Sequence, residues 1–199
     1  MTKKRQMAGK KVTTHDFKDG QGLVAAHRHP NGGGWVADTA HADDTAYVGK
    51  DARVSWNARV YGNARVSGNA LVSGEAQVSG NARLFGNSRV FGNAQVYGKV
   101  MVSGNARLFG NARVFGNAQV YGKSRVLDEA RVFVKAKVYG RSRVFGRSWI
   151  YGNAKVFGNA VVFDSARVSG KARVSEGDQV SGDAWVTGSE RISSDVIEK

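Results

Sequence analysis

Residues 110–121 read Gly110-Asn111-Ala112-Arg113-Val114-Phe115-Gly116-Asn117-Ala118-Gln119-Val120-Tyr121, the same six-residue unit written twice. Working outward, every sixth residue from Val48 to Ile192, 25 positions in succession, is Val, Leu or Ile, and no insertion breaks the register. Self-similarity at a fixed period is the signature of a stacked architecture. Two residues before each aliphatic stands a small side chain, as at Ala52, Ala58, Ala64, Ala70, Ala76, Ala82 and Ser88. A triplet such as Ala64-Arg65-Val66 therefore alternates small, long polar and apolar, which is the period-two pattern of a half-buried strand. Ala and Val face inward; Arg and the residue after Val face outward. Two residues after the aliphatic, 18 of the 25 positions are Gly, commonly followed by Asn, and both tolerate positive φ, so each short strand ends in a turn. Six residues cannot hold a helix and a strand, and a 3.6-residue period does not fit a strict six. The chain is an all-β solenoid in which three units make one triangular coil of 18 residues. Extending the register back to Val36 gives nearly nine coils, and at about 4.8 Å between stacked strands the prism is roughly 40 Å long.

The spacing of Val60 with Ala64, and of Val66 with Ala70, resembles the hexapeptide-repeat proteins, in which an aliphatic residue is followed four later by a small one. The likeness covers about four-fifths of the chain. It implies a single-chain left-handed parallel β-helix, a handedness that runs against the rule for ordinary parallel crossovers and comes from the resemblance alone. More narrowly, the Gly-Asn-Ala-Arg-Val strings preceded by His27-Arg28-His29-Pro30-Asn31-Gly32-Gly33-Gly34-Trp35-Val36 look like bacterial and phage hexapeptide-repeat proteins. That likeness implies a fold and no activity.

The organisation expected is a basic arm and short N-terminal cap over 1–35, the repeat β-helix over 36–192 and a tail over 193–199. Residues 1–35 carry seven Lys/Arg against two Asp, and the first eleven form the arm. A cap over the first coil prevents end-to-end stacking of open strand edges. The whole chain has 30 Lys+Arg against 16 Asp+Glu, a net charge of +14, which favours acidic partners. Cysteine is absent, which removes disulfides, thiolate metal sites and cysteine nucleophiles. No apolar run is long enough to cross a bilayer and the start does not resemble a signal peptide, so a cytoplasmic protein without a membrane partner is expected.

Enzyme activity is the weaker expectation. Many hexapeptide-repeat proteins are trimeric acyltransferases, and the resemblance implies a loop leaving the helix and a histidine base near the coenzyme. Here the four histidines, His15, His27, His29 and His41, all precede Val48, and the unbroken register leaves no room for such a loop. The same class includes hydratases that bind a metal through three histidines, which makes His27, His29 and His41 weak candidate ligands; capping or surface roles are the commoner fate of such residues. Gly32-Gly33-Gly34 lacks the Lys-Ser/Thr that follows a phosphate loop and reads as a turn. No cofactor is called for.

Residues 18 apart stack, so the outward positions form columns. One face carries Phe91, Phe109, Leu127, Phe145 and Phe163 beside Arg89, Arg107, Arg125, Arg143 and Val161. The second stacks Tyr97, Phe115, Phe133 and Tyr151 beside Gln95, Arg113, Arg131 and Trp149, and the third Tyr121, Tyr139 and Phe157 beside Gln119, Lys137 and Lys155. Serines occupy these columns towards both ends. Residues 79–163 hold 14 Lys/Arg against Asp128 and Glu129 alone. The leading expectation is a non-enzymatic binding or assembly module. Phe91, Phe109, Phe145 and Phe163 form its apolar contact column, and Arg89, Arg107, Arg125 and Arg143 pair with acidic groups of the partner. That partner is a second copy or another protein first, and nucleic acid or another polyanion second. The plainer alternative is that aromatic ladders covered by Arg stems only stabilise exposed sheet.

Overall fold

The computed structural model describes residues 13–192 and 196–197. The expected basic arm, and the 193–199 tail apart from one strand, lie outside these. Three strands open the fold, β1 (Thr14–Asp16), β2 (Leu23–Arg28) and β3 (Trp35–Ala37), and short strands one rung apart follow, beginning with β4 (His41–Ala42) and β5 (Tyr47–Val48). No helix forms among the described residues. The strands make three parallel walls. One runs from β3 through Arg53–Val54 to Val196–Ile197, one from β4 to Trp185–Val186 and one from β5 to Arg191–Ile192. Val78 pairs with Val96 and Val96 with Val114, so each coil takes 18 residues as expected. This is a parallel β-solenoid with two walls of nine strands and a first wall of twelve, of which β1 and β2 are the added hairpin strands.

The hydrogen bonds run along the axis: the Arg89 N–H donates to the Ala106 carbonyl at 2.9 Å and the Phe91 N–H to the Leu108 carbonyl at 3.0 Å. Inside, the aliphatics and their paired alanines form one continuous core without solvent exposure along most of its length. Burying each valine contributes roughly 1.5–3 kcal/mol, which is what holds two-residue strands that could not persist alone. Where Ser replaces the inward Ala at 124 and 142, its hydroxyl turns back to the chain, Ser124 donating to the Tyr121 carbonyl and Ser142 to the Tyr139 carbonyl, each at 2.9 Å.

The corners decide which sequences can close a coil. The residue two after the aliphatic has a φ near +60° to +87° at the repeat glycines, and five of the six described non-glycines at that position, Trp56, Asp128, Val134, Asp164 and Glu176, lie in the same left-handed region, Lys50 of the first coil being the exception. Space is also short there: a Cβ on Gly104 would lie 2.9 Å from the Gly122 carbonyl oxygen. Asp128 and Asp164 gain something in return, because their carboxylates accept the N–H of Gly146 and of Gly182, one coil on, at 3.2 Å. Val134 has no such compensation, since a β-branched residue at φ +61° crowds its own backbone and its side chain is exposed.

The segment before the repeats closes the first edge. β2 pairs antiparallel with β3 and β1 antiparallel with β2, so the hairpin extends one wall instead of lying across the core. Elsewhere on the first coil, carbonyls that have no preceding strand are met one by one. Gly34 N–H donates to Val48 O at 2.8 Å, Asn31 Nδ2 to Ala46 O at 2.9 Å and His29 Nε2 to Asp43 O at 3.0 Å. An edge treated this way cannot template another chain. At the far end, Val196–Ile197 continues the wall in parallel with Gln179–Val180.

Val134→Gly relieves the corner strain and is expected to raise stability by about 1 kcal/mol, whereas Gly104→Val imposes both strain and overlap and costs about 2 kcal/mol or more. Thermal unfolding of the two variants beside the parent checks the opposite signs.

Candidate binding faces

Parallel register places like upon like. Arg89, Arg107, Arg125 and Arg143 pair in direct succession on one wall, and all four side chains are exposed. Among the described residues none of the four makes a side-chain hydrogen bond or ion pair. The side-chain ion pairs present there are Lys18–Asp16, His27–Asp38, His41–Asp43 and Arg147–Glu129. Like charges directly opposite one another across strands repel, and with neighbours about 4.8 Å apart this row is an uncompensated line of positive charge. The turns beside it add Lys123 and Arg141, both exposed.

The same register stacks the rings. Tyr97, Phe115, Phe133 and Tyr151 form an unbroken ladder with parallel planes at 5.0, 4.8 and 5.1 Å, and Tyr121, Tyr139 and Phe157 a second at 4.8 and 5.0 Å. The Phe column is two separate pairs, Phe91–Phe109 and Phe145–Phe163, with Leu127 between them. Its four phenylalanines are half-buried, because each ring covers its neighbour's face. The column thus offers ring edges where the sequence suggests an open apolar strip. A base has no free ring face to stack on inside a ladder; only the end rings present one. The more exposed large apolar side chains of the central coils are Phe85, Tyr97, Met101 and Val134. Phe85 and Met101 on the third wall were not singled out by the aromatic columns, because a lone Phe and a Met form no series. Trp149 adds a different contact, with Arg131 and Arg167 each 5.1 Å from its ring centroid.

The histidines are spent separately. His29 is buried and caps the Asp43 carbonyl, His27 Nδ1 meets Asp38 at 2.9 Å, His41 Nε2 meets Asp43 at 2.9 Å and His15 stacks on Trp35 at 4.3 Å. The Asp43 carboxyl is held below its usual range by the Gly62 N–H first and His41 second. His27, His29 and His41 are not brought to a common point: among the described residues no group of three or more His, Cys, Asp or Glu could hold a metal. A groove of about 510 Å³ is lined by Asn57, Arg59, Glu75, Gln77, Asn93 and Gln95 and by no histidine. No described helix is long and apolar enough to cross a membrane.

Residues 58–74, 76–92 and 106–122 match the family described as the YdcK beta solenoid repeat. The chain is similar to that family in its repeat, in agreement with the architecture above. No curated protein and no solved structure matches it.

The ring ladder has a titratable consequence. Burial, and then the neighbouring Tyr139, push the Tyr121 hydroxyl above the ordinary tyrosine value. Tyr139→Phe is expected to lower the Tyr121 titration midpoint part of the way back, since the burial contribution persists. Phenolate absorbance followed with pH checks the direction.

Proposed function

We propose that the protein is a rigid, non-enzymatic binding rod whose first wall engages an extended polyanion through Arg89, Arg107, Arg125 and Arg143. One observation carries this reading: four exposed guanidiniums in direct cross-strand register with no acidic partner. An isolated protein gains nothing from such a row, whereas a chain of phosphates or carboxylates laid along it removes the repulsion and takes bidentate hydrogen bonds. Recognition is by charge and spacing. The stacked Phe pairs stiffen the wall, and bases are not stacked into them. Phe91, Phe109, Phe145 and Phe163 then act as the apolar bed beside the row.

Self-association is the second reading. Exposed Phe85 and Met101, which stand on successive coils of the third wall, favour it. The two are compatible, because they use different walls.

Anisotropy of a labelled single-stranded oligonucleotide, with polyphosphate as competitor, tests the first reading across a salt series. Binding is expected to weaken steeply with salt, and Arg107→Glu with Arg125→Glu to reduce affinity about tenfold or more and flatten the salt slope by about 1.4. A double variant that melts like the parent and binds as tightly overturns the assignment of this wall. Light scattering on the same samples distinguishes the second reading: a defined oligomer lost in Phe85→Ser with Met101→Ser places the contact on the third wall.

A further inference from the structure

The cap gathers a second set of charges that the polyanion row does not use. Between the cap and the first coils lies a cavity of about 350 Å³ whose wall includes Trp35, His15 and the cations Lys18, Arg28, Lys50 and Arg53. Four cationic side chains face two carboxylates, Asp16 and Asp51, and Asp16 is already taken by Lys18, whose Nζ lies 2.9 Å and backbone N 2.8 Å from it.

The two guanidiniums are held in place with hydrogen-bonding capacity to spare. Arg28 Nη1 donates to the carbonyls of Gly33 at 2.7 Å and Lys50 at 3.2 Å, and the guanidinium lies 4.0 Å from the Trp35 ring centroid. Arg53 Nη1 donates to the Phe17 carbonyl at 3.2 Å, while its Nε is buried and has no partner. A buried N–H of a charged group left unmade costs free energy unless something accepts it. Trp35 and Arg53 are cross-strand neighbours, and the stacked His15 ring of β1 brings the third element to the same place. His15 shows the field there: burial first, then Arg28 and Arg53, lower its pKa, against an opposing effect of Asp16 and with a further lowering by Lys18.

We infer that this cavity is a binding site for a small tetrahedral oxyanion of the phosphate type, received by the free edges of Arg28 and Arg53 and by Lys50 against the Trp35–His15 pair. Bidentate oxygens match a guanidinium edge, and an anion neutralises the crowded cations of the lining. The site lies on the same wall as the Arg89–Arg143 row, with Leu71 between Arg53 and Arg89, and does not rest on the row's function. It also has a pH sense. Below its lowered pKa, His15 becomes a further cation and strengthens binding; without an anion, the cap loses stability as pH falls from the ordinary histidine range through that value.

The test uses the full chain and the indole N–H resonance of Trp35, assigned by its loss in Trp35→Phe. Sodium sulfate is titrated against sodium chloride at matched ionic strength, because sulfate keeps its charge between about pH 5.5 and about pH 8, the interval in which a histidine titrates. A saturable low-millimolar shift of Trp35, with Trp56, Trp149 and Trp185 unmoved, is expected. Lys50→Gln, whose parent side chain is exposed, weakens it about tenfold by removing a charge-assisted contact. His15→Gln abolishes the tightening at acid pH. Free phosphate and a short 5′-phosphorylated oligonucleotide, with its unphosphorylated form as control, show whether the group arrives alone or on a larger molecule. Saturation at Trp35 by either supports the site. A shift that does not saturate, that chloride reproduces, or that Lys50→Gln leaves intact in a folded protein overturns it.

Discussion

The corner residue is the constraint on which this fold rests. Each coil turns three times in 18 residues and returns its N–H groups beneath carbonyls of the next coil, so from Trp56 onward the described repeat corners take a left-handed residue, most with little room above it. Glycine meets both demands, and aspartate at 128 and 164 is compensated there because its carboxylate accepts the next corner's N–H. Between corners, the inward positions are committed to Val and Ala by the narrow core. What is left free is the outward pair of residues in each unit. Their composition is therefore a choice that closing the solenoid does not impose, which is why the concentration of Arg and aromatic residues in the central coils carries information about use.

Parallel in-register stacking amplifies whatever stands at an outward position. Aromatic residues gain, since near-parallel rings with centroids 4.8–5.2 Å apart shield one another from water along three columns. Arginine loses, since each guanidinium meets the field of its neighbours with no carboxylate between. Stabilisation alone explains the rings without explaining the Arg row. Neutral residues stand in the Arg column to either side of the row, at Leu71, Val161 and Gln179 on the first wall, so the scaffold tolerates a neutral outward side chain there. A row of cations kept against that background points to an external anion.

The six-residue register made the strands, the 18-residue coil, the core and the outward columns legible before any coordinates, because each follows from periodicity and side-chain size. The Phe column was legible as a list and not as a surface. Whether stacked rings expose faces or edges depends on rotamers shared down the stack, and Leu127 divides the column in two. The particular roles of the histidines were hidden for a different reason. His29 and Asn31 cap carbonyls whose openness arises only where the solenoid begins, an end effect that local sequence does not announce. The cap cavity was not legible at all, since His15, Arg28 and Arg53 lie up to 38 positions apart and meet only through the antiparallel hairpin added to the first wall.

Closing the edge and collecting charge are linked in that hairpin. Laying β2 beside β3 sets Arg28 opposite Trp35, which in turn pairs with Arg53, so the contact that protects the first strand also brings two guanidiniums to one ring system. A hairpin selected only for capping would do better with neutral residues there, because crowded cations cost stability unless paired. The two positive features of the molecule also differ in kind. The open row is screened by salt over its whole length, whereas the cap cavity is partly walled by protein and feels salt less. A phosphate-type ion in the cavity and a polyanion on the row are therefore separable by ionic strength alone, with the cavity still occupied at salt concentrations that clear the row.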